Sequence, residues 1–138
     1  MDQLLIFSID NRRHAVPLLN VEQVLRAVEV MSVPGAPSNI LGTINLSGVL
    51  IPVLNLRKHF GYTEKEIEPS DHFIIARGTS VLVALVTDYV ENVLQVERVT
   101  DSHGVLPNLN SVKGFAISEG ETVLIHTIDS LFPPEGSQ

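Results

Sequence analysis

The chain has 138 residues, with 16 acidic and 9 basic side chains and a net charge of −7 at pH 7. Because phosphate binding needs a concentrated basic surface, this acidic balance argues against a nucleic-acid partner. The absence of cysteine excludes disulfide bonds, thiolate metal sites and a cysteine nucleophile. A hydrophobic fraction of 44% over this length predicts one domain with a sizeable core.

The sequence predicts a cytoplasmic protein without direct membrane insertion. No apolar run approaches the roughly 20 residues that a membrane-spanning helix needs. The first residues, Met-Asp-Gln-Leu, lack the basic region and the cleavage pattern of a signal peptide.

The N-terminal segment predicts a β-hairpin. Residues 3–9 are strongly apolar and predict a first strand. Asp10 and Asn11 predict the turn, because both side chains bond readily to their own backbone. Residues 14–16 predict the return strand, which Pro17 interrupts because proline cannot donate to a strand ladder.

Residues 18–42 predict short helical turns and one further strand. Apolar residues within 18–25 are spaced by three, three and one, which favours a helical turn with Asn20 as its N-cap. Residues 28–33 alternate in part and predict a strand. Residues 38–39, Ser-Asn, predict the cap of another helical turn.

Residues 42–61 form the stretch around which the chain is organised. They contain two runs of Ile, Leu and Val that are bounded by glycine and separated at Ser47 and Gly48. Such runs are typical of buried strands, so the stretch predicts a hairpin. Pro52 lies inside the second run and predicts an edge strand or a bulge.

The second half of the chain repeats the first. Residues 62–71 are polar and predict a solvated connector between the halves. Five segments correspond in order: 4–7 to 73–76, 21–25 to 90–94, 42–45 to 114–117, 49–55 to 123–129, and 59–60 to 131–132. The second hairpin is expected to have a longer turn, residues 118–121.

This repeat predicts a mainly β fold of two pseudo-repeated five-stranded barrels with short helical turns. Closing short strands into a barrel removes their unpaired edges. Because each half is too small to bury enough surface alone, the barrels are expected to share a hydrophobic core. We place the first barrel at about 3–61, the second at about 72–132 and the connector at 62–71, within a single domain spanning 1–138.

No group of residues indicates catalysis, and the sequence predicts neither an enzyme nor a cofactor. Ser47 lacks the flanking glycines of a hydrolase elbow, and no glycine-rich phosphate loop is present. Asp88, Glu91 and Glu97 are expected to be solvated carboxylates. The histidines are expected to lie singly on the surface and to bind no metal; they are His14, His59, His72, His103 and His126.

The hairpin stretch resembles the signature of the CheW-like family, the coupling proteins of bacterial chemotaxis. The shared pattern is Gly-x-x-Asn-Leu-x-Gly, then Pro-Val, Leu-Arg and a closing Phe-Gly, over residues 42–61. The repeated segment 90–94 and the Val-Pro-x-x-Pro loop at 33–37 also resemble that family. The resemblance covers roughly residues 4–132.

The resemblance implies two SH3-like barrels and a non-catalytic adaptor. Family members connect the cytoplasmic tip of chemoreceptors to the regulatory domain of the chemotaxis histidine kinase, which has the same double-barrel fold. These contacts build membrane-associated receptor arrays, so the expected location is cytoplasmic and at such arrays.

The resemblance also implies two sets of contact residues. Receptor contacts fall on Val21, Gly42, Asn45, Ser47 and Gly48. Kinase contacts fall on Leu18 and Gln23. The family usually has arginine at the position of Ser47, and it commonly has glutamate at Gln23 and aspartate at Asn55.

The serine leaves a second hypothesis open. An arginine forks onto a carboxylate, whereas serine offers one short hydroxyl, so receptor binding is the part most affected. The chain would then be a diverged scaffold that binds the kinase but not standard receptors. A third hypothesis is a double barrel that binds a small molecule in the groove between its halves.

Overall fold

The computed structural model describes residues 2–96, 100–101 and 112–132. The described chain is mainly β, with one 3₁₀ turn and two short helices. The strands are β1 Asp2–Ile9, β2 Arg12–Pro17, β3 Val21–Arg26, β4 Ile40–Leu46, β5 Val49–Leu54, β6 His72–Arg77, β7 Leu82–Thr87, β8 Tyr89–Val96, β9 Thr100–Asp101, β10 Val112–Ser118 and β11 Glu121–His126. The 3₁₀ turn is Leu18–Asn20, and the helices are α1 Leu56–Phe60 and α2 Ile128–Leu131.

The strands form two sheets. The six-stranded sheet has the order β8-β1-β2-β11-β10-β9, and the five-stranded sheet has the order β3-β6-β7-β5-β4. β9 contributes only two residues to the first sheet. Neighbouring strands are antiparallel except for two parallel pairs, β2 with β11 and β5 with β7. The predicted fold class, mainly β with two units and short helical turns, is confirmed.

Each sheet contains strands from both halves of the chain. β1 and β2 pair with β8 and β11, and β6 and β7 pair with β3 and β5. The predicted barrel boundaries, about 3–61 and about 72–132, therefore do not match the strand membership of the sheets. The reason is that the first hairpin of each half pairs with later strands of the other half. The single domain spanning 1–138 stays a prediction.

The repeat has the predicted register in β4 and β10 but a different register in β5 and β11. β4 and β10 correspond at a spacing of 72 residues, and so do β5 and β11. Along β5 and β11 the burial pattern is identical. The predicted match of 49–55 with 123–129 is two residues out, because Val, Leu and Ile are interchangeable in a buried strand whereas the turn sets its register.

Three hairpins close with two-residue turns of the same kind. Both central residues have positive φ in each: Asp10 and Asn11 (54° and 61°), Ser47 and Gly48 (53° and 87°), Glu119 and Gly120 (54° and 77°). This is the type I′ geometry, whose twist matches that of the flanking strands. The predicted longer turn at 118–121 is therefore wrong.

The main core lies between the two sheets. It combines Phe7 and Val16 of the six-stranded sheet with Ile74 and Leu85 of the five-stranded sheet and with Leu56 of α1. Two smaller clusters fill the individual sheets. They contain Leu4, Ile6, Ala15, Ala116, Val123 and Ile125 in one, and Ile44, Ile51, Val53, Phe73, Ile75 and Ala84 in the other. The expected shared hydrophobic core is confirmed.

The predicted helical turns are corrected in part. Within residues 18–25, only Leu18–Asn20 are helical, and the apolar residues that follow belong to β3. Asn20 ends this turn and donates from Nδ2 to the Arg77 carbonyl at 2.9 Å, so it is not an N-cap. Residues 38–39 form a turn that leads directly into β4. Apolar spacing over so few residues does not distinguish a helical turn from a bulged strand, because both can place apolar side chains three residues apart on the same face.

Two strand predictions also change. Residues 28–33 form a single bridge, Met31 with Thr43, and no strand. Pro52 is not on an edge, because β5 lies between β7 and β4. β7 registers only with Val53 and Leu54 of β5, and the irregularity in β4 falls between Ile40 and Gly42.

None of the helices in the described part of the chain is both long and apolar enough to span a membrane.

Candidate protein-binding site

The tip of the β4–β5 hairpin carries three of the predicted receptor-contact residues. Asn45, Ser47 and Gly48 are all exposed. The Gly48 amide donates to Asn45 Oδ1 at 2.8 Å, which holds the turn closed. Ser47 has a φ of 53°, so its side chain projects from a left-handed residue at the apex. The hairpin presents a rigid, polar tip.

Gly42 is buried, unlike Asn45 on the same strand. A Cβ there would overlap the carbonyl oxygen of Met31 and would lie 2.9 Å from Val30 Cγ1. Met31 and Thr43 exchange two backbone hydrogen bonds, each 2.9 Å long. Glycine is therefore required so that residues 28–33 can lie against the edge of β4. Gly42 positions this segment and offers no side chain to a partner.

The predicted kinase-contact residues lie in the 3₁₀ turn and in the β3 strand that follows it. Leu18 packs against the main core and is half-buried, and Gln23 is exposed. Val21, assigned to the receptor, also packs against the core. Between these positions Leu19 is 96% exposed. Leu19 was not among the predicted contact residues. The adjacent pair Leu18 and Leu19 in a short turn could have indicated it, since only one of two adjacent side chains can point into the core.

Sheet pairing does not bring the predicted receptor residues together. Val21 lies on β3 and Asn45 on β4, and these strands are the two outer members of the five-stranded sheet. Three strands separate them in hydrogen-bonding order. The structure therefore presents two places on this sheet, the β3 edge and the β4–β5 hairpin.

Exposed apolar side chains accompany both places. Val24 lies on β3, and Val49 and Leu50 begin β5 directly after the hairpin turn. Leu50 is 60% exposed although sequence analysis placed it in a buried strand. Others are Val28, Met31, Val33, Leu41, Tyr89, Val93 and Ile117. Exposed apolar residues that gather in patches are typical of protein-binding surfaces.

Two concave features involve the connector. A small cavity of about 20 Å³ beside Arg57 has room for no more than a water molecule. An open groove of about 720 Å³ lies between residues 28–30, Leu41 and residues 64–67. No residue of the six-stranded sheet lines this groove, so it is not the cleft between sheets that the small-molecule hypothesis requires.

Arg57 ties α1 to two other places in the fold. Its Nη2 donates to both carboxylate oxygens of Asp88, at 2.9 and 2.8 Å, and its Nη1 donates to Asp10 Oδ1 at 2.8 Å. Burial lowers the pKa of Arg57, but the hydrogen bonds to Asp88 and Asp10 outweigh it and raise the pKa. Glu91 pairs with Arg13 at 3.0 Å. The expectation that Asp88 and Glu91 are simply solvated is therefore wrong, and Glu97 lies outside the described residues.

Two of the four histidines that the structure describes are buried and paired, which corrects the prediction of separate surface side chains; His103 lies outside the described residues. His14 Nδ1 and His126 Nε2 lie 2.8 Å apart, and each residue is 1% exposed. Burial, His126 and Arg12 lower the pKa of His14 to about 3. The described part of the chain holds no group of three or more His, Asp or Glu side chains arranged to bind a metal ion.

A family model described as a CheW-like domain matches residues 3–135. The chain belongs to the CheW-like family. Chemotaxis protein CheW of Thermotoga maritima is 31% identical over 134 residues, which cover 94% of this chain and 86% of that protein. Chemotaxis protein CheW of Rhizobium meliloti is 24% identical over 137 residues, covering 96% and 88%. The protein of the same name from Bacillus subtilis is 28% identical over 97 residues, covering 70% and 62%.

The CheW-like fold is also found by comparison with solved structures. The crystal structure of scaffolding protein TtCheW from Thermoanaerobacter tengcongensis has a TM-score of 0.88 and 24% sequence identity. The match covers 99% of this chain and 95% of that one. The likeness therefore concerns the whole fold.

Asn55 shows what one departure from the CheW-like pattern does locally. Its Oδ1 accepts from the Lys58 amide at 3.1 Å and caps α1, while its Nδ2 donates to Glu64 Oε1 at 2.7 Å. An aspartate would supply the cap but not the donor, and two carboxylates would then face each other. Both hydrogen bonds of Asn55 are therefore local, to residues three and nine positions further along the chain.

Proposed function

We propose that this chain is a non-catalytic adaptor of bacterial chemotaxis that couples chemoreceptors to the chemotaxis histidine kinase. The observation that carries this proposal is the match to the CheW-like domain over residues 3–135. Relatives named chemotaxis protein CheW, from three separate genera, support it. Because one fold hosts many functions, the sequence match carries more weight than the fold.

We assign the contact with the kinase regulatory domain to the 3₁₀ turn and the start of β3. Leu19 of the 3₁₀ turn offers an almost fully exposed apolar side chain, Leu18 anchors that turn in the core, and Gln23 is exposed on the adjoining strand β3. β3 is an outer strand of its sheet, and exposed edges with apolar neighbours are suited to pairing with another β domain. Apolar anchors of this kind dominate binding energy at interfaces.

We assign the contact with the receptor's cytoplasmic tip to the β4–β5 hairpin and the adjoining apolar side chains. Asn45, Ser47 and Gly48 supply polar groups, and Val49 and Leu50 supply exposed apolar surface next to them. Gly42 lets residues 28–33 lie against the edge of β4, the first strand of this hairpin. Val21 is half-buried and contributes from the β3 side.

The proposal includes no catalytic step and no cofactor. The buried histidine pair is 1% exposed, so it does not reach a substrate in solution. We place the protein in the cytoplasm, where it associates with membrane receptor arrays through its partners. Small-molecule binding is not favoured, because the larger groove does not lie between the sheets.

Direct binding tests the proposal. The purified chain is titrated with the regulatory domain of a chemotaxis kinase and with a receptor cytoplasmic fragment, both from its own organism. Saturable binding to both, and stimulation of kinase activity when all three are combined, are the expected results. Lack of binding to any such regulatory domain would overturn the adaptor proposal. Binding to the kinase alone would identify a diverged scaffold.

The position of Ser47 gives a sharper test of the receptor assignment. Ser47→Arg restores a side chain that can fork onto a carboxylate, and we expect receptor affinity to rise about tenfold, an effect of about 1.4 kcal/mol. Glu119→Arg is the matched control, because Glu119 occupies the first position of the corresponding turn with a φ of 54°. Kinase affinity should not change in either variant. An equal rise in both variants would indicate nonspecific charge attraction and contradict the assignment.

A further inference from the structure

The His14–His126 pair lies where the two halves of the chain meet in the six-stranded sheet. β2 and β11 are parallel there and register at only two positions, His14 with Leu124 and Ala15 with Ile125. We call this junction the histidine seam: residues 14–15 of β2 with residues 124–126 of β11. It joins the β10–β11 hairpin to the rest of its sheet.

The corresponding junction in the five-stranded sheet is apolar. β5 and β7 register at Val53 with Ala84 and at Leu54 with Leu85. The repeat therefore places Leu54 where His126 lies and Val83 where His14 lies. Both Leu54 and Val83 are buried members of the main core. Because the fold builds this junction from aliphatic residues once, it does not need histidines to build it again.

The histidine seam is enclosed by aromatic rings. His14 lies between Phe7, with ring centroids 5.7 Å apart and a 21° interplanar angle, and Phe60, at 4.3 Å and 3°. The hydroxyl of Tyr62 lies 2.9 Å from His14 Nε2. The connector and α1 therefore cover the seam from the side of the other sheet.

The charged and titratable groups around His14 disfavour a positive charge on it. Arg12 of β2 lies over the Tyr62 ring at 4.3 Å, and its cation lowers the pKa of His14 further after burial and His126. From α1, His59 contacts Phe60 with ring centroids 5.3 Å apart. Burial raises the pKa of Tyr62, and the Asp10 carboxylate also raises it. No carboxylate is among the groups that shift the pKa of His14.

The hydrogen bond between the two rings requires both to be neutral or to share a single extra proton. A neutral imidazole has one donor and one acceptor nitrogen, so one ring donates and the other accepts. When both rings are protonated, all four nitrogens are donors and the bond is lost. Full protonation of the pair is therefore incompatible with the closed seam.

We propose that the histidine seam is an acid-sensitive latch, which holds the β10–β11 hairpin to β2 at neutral pH and releases it as the solution becomes acidic. This regulatory device goes beyond the adaptor function. It does not depend on which partners the protein binds.

The direction of the pH effect on opening follows from which form, open or closed, binds the extra proton. In the closed seam the pKa of His14 is about 3, whereas a solvated histidine titrates near its ordinary value of about 6.5. Between these values the open form binds a proton that the closed form does not, so opening becomes more favourable as pH falls. One proton increases the opening equilibrium about 25-fold between pH 7 and pH 5.

Amide hydrogen exchange of the full chain tests the latch, with the apolar junction as an internal reference. Protection factors, corrected for intrinsic exchange, are compared between β11 and β5 at pH 7, 6 and 5. We expect protection at β11 to fall about 25-fold more than protection at β5. Equal falls in the two strands would overturn the proposal.

A double variant isolates the histidines. His14→Val with His126→Leu carries the residues of the apolar junction, and we expect it to remove the difference between β11 and β5. His72→Gln, in the five-stranded sheet, is the matched control and should leave that difference unchanged. A difference that persists in the double variant, or disappears in the control, would contradict the latch.

Ring nitrogen resonances of the unmodified protein keep the proposal testable if the double variant does not fold. We expect His14 in the closed form to show a neutral tautomer at pH 5. A closed form in which both His14 and His126 are fully protonated at that pH would overturn the proposal.

Discussion

The carbonyl oxygen of Met31 occupies the space that a Cβ at Gly42 would need, and Ser47 lies in a turn with a φ of 53°. Both positions are among the proposed receptor contacts, yet backbone geometry limits each of them first. A side chain at 42 would displace residues 28–33, and any residue at 47 has to tolerate the left-handed region. Substitution of Gly42 would therefore disturb binding by moving a segment, not by removing a contact.

We expect Gly42→Ala to lower the free energy of unfolding by about 3 kcal/mol, because a backbone oxygen occupies the space of the new methyl group. Gly35→Ala is the control: its φ is 80°, but nothing lies within 4 Å of the new Cβ. Only backbone strain then applies, and we expect a loss of about 1 kcal/mol. Urea denaturation measures both. Equal losses would show that the close approach to Met31 does not matter.

At the scale of elements, α1 and α2 are built alike but hold their neighbours differently. The side chains of Asn55 and Thr127 cap the two helices by accepting from Lys58 and Ser130 amides. α1 then uses Arg57 to hold Asp10 in the turn between β1 and β2, while α2 uses Asp129 to accept from the Thr79 amide. Each helix therefore fixes the first hairpin loop of one half of the chain.

Arg57→Ala should lower the free energy of unfolding by about 1–2 kcal/mol, because it leaves Asp88 and Asp10 without their shared cation, while water partly screens both carboxylates. Lys65→Ala removes the exposed pair with Glu68 and should change stability by less than about 0.5 kcal/mol. Thermal unfolding at matched pH compares them. A loss of the same size in both variants would contradict the role of Arg57 in joining α1 to the β1–β2 turn.

At the scale of the whole molecule, the two halves of the chain exchange hairpins. β6 and β7 lie between β3 and β5 in one sheet, and β1 and β2 lie between β8 and β11 in the other. Neither half contains a complete sheet. The folding unit is therefore the pair of halves, although their sequences repeat.

Cleavage within the connector tests this exchange. Fragments 1–65 and 66–138 should each lack a dispersed amide spectrum when isolated, because every sheet loses its central strands or their neighbours. An equimolar mixture should recover the spectrum of the intact chain. The control is the intact chain cut at the same position by a protease, which should remain one complex. A native-like spectrum from either fragment alone would contradict the exchange.

Local patterns in the sequence were enough to predict β1, β2, the hairpin at 42–54, the internal repeat and the family, but they predicted a helical turn in place of β3 and a strand at 28–33 that does not form. Strand alternation, turn residues and glycines act over a few positions, so they are visible along the chain. The exposed hairpin tip at Ser47 and Gly48 follows from the same local signals.

Only the tertiary structure decided which hairpin pairs with which half, and which polar groups are buried. His14 and His126 are 112 residues apart in sequence and 2.8 Å apart in space, and Arg13 meets Glu91 across 78 residues. Gly42 has its role because of Met31, on a segment that forms no strand. Such contacts depend on packing between distant segments, and side-chain periodicity carries no information about which segment will lie opposite.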